Sequence, residues 1–212
     1  MAAATSVPAH HSAGSSRQPD LDIDEGFRLL EANPQRVLTA TAALLTKHLG
    51  DPRDYARVVE LKAQALFLLN DFDGCVEYVN SLSQDLQNTQ EMMMIKARAL
   101  QAKGHLVEAL SLFQFLYVRY TASFEDRKTY GLAMSKHLQL MGGMDNLKAA
   151  LDIYTRLRTE AAGRMNTPSQ DQEIEQAMSV HLRIMGGRDN LRKALGISTR
   201  LMDIPASNAR LQ

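Results

Sequence analysis

The sequence predicts an all-α chain, a right-handed α-solenoid of antiparallel helix hairpins with about nine or ten helices. Three observations carry this. A 25-residue stretch is written twice, as AMSKHLQLMGGMDNLKAALDIYTRL from Ala133 and AMSVHLRIMGGRDNLRKALGISTRL from Ala177, an offset of 44 residues with 17 identities. Upstream, another pattern recurs at an offset of 34, pairing Ala63 with Ala97, Leu66 with Leu100, Cys75 with Ala109, Val79 with Phe113 and Leu82 with Leu116. Within each unit the large apolar residues fall at helical spacing. Self-similarity at a fixed period marks a stacked array, because one hairpin cannot bury its apolar face alone.

Residues 1–20 are mostly Ala, Ser, His, Pro and Gly. They cannot bury enough surface to offset ordering entropy, so a disordered tail is expected. The tail lacks the basic and apolar regions of a Sec-type leader. Asp20, Asp22, Asp24 and Glu31 fall at EF-hand ligand positions, but Glu25 stands where the calcium loop needs Gly. The alternative is a helix N-terminus capped by Asp22 or Asp24. Asn33 and Pro34 break that helix, and a second runs to about Leu49 with Leu38, Ala42, Leu45 and Leu49 as its apolar stripe and Gly50 as its C-cap. Residues 21–50 thus form a helix pair. Residues 51–123 hold the two 34-residue units and 124–204 the two 44-residue units, with a tail at 205–212. In each longer unit Gly142 and Gly143, or Gly186 and Gly187, stop the first helix, and Asp145 or Asp189 caps the second. The ten extra residues are expected mainly in the connector AAGRMNTPSQD.

Composition bounds the function. At 45% hydrophobic and 23% charged residues with net charge zero, the chain is ordinary for a globular protein. It has no overall basic excess for nucleic acid or acidic membranes, and no run approaches a membrane span. The single cysteine, Cys75, permits no internal disulfide and fits a reducing compartment. A cytoplasmic location is expected, with export by a non-Sec route as the alternative.

The 34-residue units resemble the tetratricopeptide repeat, a pair of antiparallel helices. That resemblance implies small residues where the helices cross, at repeat positions 8 and 20: Ala63 and Cys75, then Ala97 and Ala109. It implies a tight turn at Asn70 and Gly104. The aromatic at repeat position 4 is replaced by Val59 and Met93, and the Pro at position 32 is missing. The 44-residue units look like longer relatives of the same hairpin.

No phosphate-binding loop, dinucleotide fingerprint, HExxH, CxxC or GxSxG motif is present. Cys75, at a crossing position, is expected to be a buried, inert thiol. His137 and His181 each precede a Met by four residues, a pairing copper accepts. Duplication alone explains their recurrence, so packing histidines are expected and no metal or cofactor. The resemblance implies a concave groove lined by repeat positions 2, 5, 9 and 12 of each first helix. These are Arg57, Glu60, Gln64 and Phe67, then Glu91, Met94, Arg98 and Gln101. Anchoring the longer units on Ala133 and Ala177 gives Tyr130, Met134 and His137, then Ile174, Met178 and His181. Met134 and Met178 can equally be core. The expected role is a non-enzymatic scaffold that holds a partner peptide or helix, without nucleic acid. Alternatives are a bacterial secretion chaperone or secreted effector, and a module that self-associates through its terminal repeats as a homodimer.

Overall fold

A computed structural model describes residues 21–120, 122–164 and 168–203. The tails expected at 1–20 and 205–212 lie outside these residues. Eleven helices follow one another among them: α1 (Ile23–Leu29), α2 (Pro34–Lys47), α3 (Pro52–Leu68), α4 (Phe72–Ser81), α5 (Gln84–Gln87), α6 (Gln90–Ala102), α7 (Leu106–Arg119), α8 (Phe124–Met141), α9 (Met144–Ala162), α10 (Pro168–Met185) and α11 (Arg188–Asp203). They form five successive hairpins, and the one-turn α5 after α4 accounts for the excess over ten. Each hairpin packs on the next, so α7 contacts α8 and α9 contacts α10.

Local signals set the helix starts. Asp22 accepts from the Glu25 amide at 2.7 Å, so the first acidic run is a capped helix and not a calcium loop. Asn33 caps α2 with Pro34 at its first position, and Asp51 with Pro52 does the same for α3. Ser123 and Asp126 form a reciprocal capping box at α8. In α2 the buried stripe is Val37, Thr41 and Leu44, flanked by Leu38 and Leu45. The expected stripe is rotated from this by about one residue, which leaves Ala42 and Leu49 exposed. His48, not Gly50, ends that helix, through its amide on the Leu44 carbonyl.

The two hairpin classes turn differently. In the shorter units Asn70 (φ 60°) and Gly104 (φ 83°) are left-handed, as expected. The next amide then bonds back to Leu66 or Leu100 at 3.0 and 2.9 Å, a Schellman closure. In the longer units two successive glycines have positive φ, 67° and 79° at Gly142 and Gly143. Gly143 occupies the N-cap of α9, so Asp145 lies in the first turn and is not the cap. The turn is held instead by Asn146, which donates to the Gly142 carbonyl at 2.8 Å, and by Asn190, which donates to Gly186 at 2.9 Å.

The ten extra residues are helix, not connector. α8 has 18 residues against 13 in α6, and α9 has 19 against 14 in α7. Ala161 and Ala162 still belong to α9, and α10 begins at Pro168. The core is a chain of local clusters, one at each hairpin junction. Cys75, Val79 and Met92 centre one, Ala97, Ala109 and Phe113 another, and Leu138, Tyr154, Leu157, Ile174 and Leu182 the largest. Among the described residues no helix follows α11. Leu191 (50% exposed) and Leu195 (64%) face solvent there, whereas their counterparts Leu147 and Leu151 are half-buried beneath α10.

Candidate functional site

The helix crossings establish the register of the inner surface. Ala63 and Cys75 are fully buried, and the Cys75 thiol approaches the Ala63 carbonyl at 3.5 Å. Burial, with Asp71 nearby, pushes this thiol up to about 11, so it stays protonated and unreactive at neutral pH. Ala97 and Ala109 cross in the same way. In the longer units the crossing residues are Ser135 and Ser179. Their hydroxyls donate to the carbonyls of Ala150 and Ala194, at 3.5 and 3.1 Å. Ala133 and Ala177, the expected crossing residues, are only half-buried and stand two positions away.

That shift of two residues, about 200° around a helix, redraws half of the expected groove. His137 and His181 are fully buried, and Met178 and Ile174 are core. Met134 is half-buried against two core clusters. Tyr130 is buried and reaches the groove at one edge. Residues reading outward on α8 are instead Thr129, Leu132, Lys136 and Gln139, and on α10 Glu173, Gln176, Val180 and Arg183. Leu132, Lys136, Gln139, Glu173, Gln176 and Val180 line one shallow cavity of about 350 Å³. The signal for this register was present. Leu66 and Leu100 stand three residues after their crossing alanines, and Leu138 and Leu182 stand three after Ser135 and Ser179. Anchoring on Ala133 would put the charged Lys136 at that buried apolar position.

In the shorter units the structure brings the expected residues together. Gln64, Phe67, Met94 and Arg98 line one cavity of about 410 Å³ with Leu30, Glu31, Glu60, Glu91 and Tyr130. The Arg98 guanidinium lies over the Phe67 ring, 5.1 Å from its centroid. Gln64 donates to Glu60 at 2.7 Å. Burial, and then the charge of Glu91, hold the Glu60 carboxyl above the usual range. Gln101 lies at a groove position, but its amide is 3.0 Å from His137 Nδ1.

The two histidines are joints between hairpins. His137 Nε2 stands 2.7 Å from the Leu106 carbonyl and His181 Nε2 2.7 Å from the Leu147 carbonyl. A carbonyl only accepts, so Nε2 carries the proton and Nδ1 accepts, from Gln101 in one case and from Gln139, at 2.5 Å, in the other. His137 therefore ties α8 to both α6 and α7, and His181 ties α10 to both α8 and α9. The rings pack against Phe113 and Tyr154, with centroids 5.2 and 5.4 Å away. No cluster of three or more His, Cys, Asp or Glu suited to a metal occurs among the described residues. Burial lowers both histidine pKa values below 6.5, against a smaller opposing effect of the carbonyl bond.

Acid should therefore loosen these joints. Below pH 6.5 the unfolded chain takes up protons at these sites before the folded chain does, so stability falls on acidification. The melting temperature is expected to drop between about pH 7 and pH 5. In the double variant His137→Gln/His181→Gln that dependence is expected to flatten; thermal melts across the range check it.

No protein-family model matches the sequence, and no curated protein does. Among solved structures, the chain is similar to a Podosopora anserina protein described as a putative kinesin light chain with nearly identical TPR-like repeats. A form of that protein carrying one substitution aligns at TM-score 0.70 with 12% identity, covering 89% of this chain and 94% of that one. The form without the substitution aligns at TM-score 0.67 with 13% identity, covering 90% and 95%. Coverage of nearly the whole of both chains, with the hairpin order and crossings described above, makes this chain a TPR-like all-α helical-repeat solenoid.

Proposed function

We propose that the chain is a non-enzymatic interaction scaffold whose inner surface holds a peptide or helix of a partner protein. TPR-like repeat folds commonly serve as protein-interaction scaffolds. The observation that carries the reading is the run of first-helix residues along one face. Gln64, Phe67, Met94 and Arg98 line one cavity and Leu132, Lys136, Gln139 and Val180 a second, on the first helices of four successive hairpins. Flexible Met and amide side chains beside an aromatic ring offer an adaptable surface for a peptide. Of the groups with displaced pKa values, Cys75 and the two histidines are buried at crossings and joints.

The test is capture of partners from a lysate of the source organism. The intact chain is compared with Phe67→Ala/Met94→Ala/Lys136→Ala and with Val118→Ser/Lys148→Ala on the second helices. A partner retained by the native chain is expected to drop at least ~10-fold on the first variant and to remain on the second. Equal retention on all three, with unchanged melting, overturns the groove as the binding surface.

A further inference from the structure

The inner surface changes sign along its length. At the α3–α6 end, Glu31, Glu60 and Glu91 rim the cavity whose apolar walls include Phe67, Met94 and Leu30. Glu60 is met by the Gln64 amide and not by a cation. Arg57, whose charge Glu60 feels, is engaged by Asp24 at 2.5 Å and Asp54 at 3.7 Å. Arg98 in the same wall, stacked on Phe67, sets one positive charge against these three carboxylates. Among the described residues Glu31 and Glu91 have no ion-pair partner. At the α8–α10 end the balance reverses. Glu173 pairs with Lys128 at 3.1 Å and shares it with Glu125 at 3.2 Å. Among the described residues neither Lys136 nor Arg183 has an ion-pair partner; Arg183 stands beside Gln176 and Val180 on the side toward α11, where it donates to the Ser198 hydroxyl at 2.8 Å. Carboxylates are therefore in excess at one end of the groove, and Lys136 and Arg183 tip the balance to positive at the other.

Resting on the groove reading above, we propose that the occupant is one charge-ordered peptide segment of a partner protein. Its basic side chains lie over Glu31, Glu60 and Glu91. An apolar or aromatic side chain fills the cavity against Phe67 and Met94. Its acidic side chains lie over Lys136 and Arg183. The first helices of successive hairpins stand ~10 Å apart, so the path from α3 to α10 is about 30 Å. An extended segment covers that in about nine or ten residues. Three carboxylates at one end disfavour polyphosphate ligands such as nucleic acid. Complementary charges at both ends set register and direction, and apolar contact at the cavity supplies affinity.

A phage-displayed library of random twelve-residue peptides, panned on the full chain, tests this. Enriched peptides are expected to carry Lys or Arg toward one end, an apolar centre, and Asp or Glu toward the other. A labelled copy of the most enriched peptide is expected to bind ~10-fold more weakly to Glu60→Gln/Glu91→Gln and to Lys136→Ala/Arg183→Ala. Replacing the peptide's own Lys or Arg by Gln, which leaves the protein untouched, is expected to give the same loss. Raising salt from about 50 to about 500 mM weakens the native complex, because the charges are solvent-facing. Neutral or purely acidic peptides that bind the groove, and are lost on Phe67→Ala, overturn the charge order and leave the groove reading standing. Peptides indifferent to every groove variant, or no enriched peptide, overturn both.

Discussion

His137→Ala is expected to lower the stability of the C-terminal hairpins by about 3 kcal/mol. The ring is fully buried, so its loss leaves a cavity beside Phe113. It also removes the bonds at 2.7 and 3.0 Å that tie α8 to Leu106 and Gln101. His181→Ala breaks the equivalent joint to Leu147 and Gln139. Gln101→Ala alone leaves the ring and its carbonyl bond in place, and about 1 kcal/mol is expected. Urea unfolding followed by far-ultraviolet dichroism measures these losses. In a stacked array a weakened junction also lowers cooperativity. A shallower transition is therefore expected for His137→Ala, with α8 to α11 unfolding ahead of the rest. A loss below ~1 kcal/mol with an unchanged slope would show that the histidines do not couple the hairpins.

The second large effect is expected at Gly131, where α8 packs tightly against α7 and α9. A Cβ there would stand 2.9 Å from Leu157 Cδ1, 3.1 Å from Tyr117 Cε2 and 3.3 Å from Ile153 Cγ2. Gly131→Leu forces a whole side chain into that contact and is expected to cost about 2–3 kcal/mol. Gly131→Ala is expected to be much milder. Its crowding meets side-chain ends that can shift, and alanine gains about 1 kcal/mol of helix propensity over glycine. The two variants therefore separate steric exclusion from backbone freedom. Equal melting temperatures for both would refute the close approach.

Much of the architecture was legible in the sequence because repetition is its own evidence. The offsets of 34 and 44 set out the hairpins, and Asn70 and Gly104 stood where a left-handed turn was needed. Where sequence reading failed, it applied a local rule without its neighbours. Ala133 was chosen as the crossing residue for being small, yet Ser135 is small enough once its hydroxyl bonds the Ala150 carbonyl. Asp145 fitted the rule for helix caps, but two glycines of positive φ moved the helix start and passed the turn to Asn146. The segment AAGRMNTPSQD looks like a loop long enough for the ten extra residues, although helices grow at either end without any punctuation. The histidine joints were not legible at all. The partners of His137, Gln101 and Leu106, lie 36 and 31 residues away in sequence, and those of His181, Gln139 and Leu147, lie 42 and 34 away.

Those joints bear on how such an array lengthens. The same His–Gln–carbonyl arrangement bridges a 34-residue unit to a 44-residue one and a 44-residue unit to another. It is thus indifferent to helix length on the side it receives. The first 44-residue unit carries both halves of the joint, the incoming His137 and the outgoing Gln139 and Leu147 carbonyl, whereas in the second Arg183 stands at the position of Gln139. A copy of the first unit is therefore self-templating, because it offers the hairpin that follows a surface already shaped for it, while the second unit keeps the histidine and has lost the glutamine.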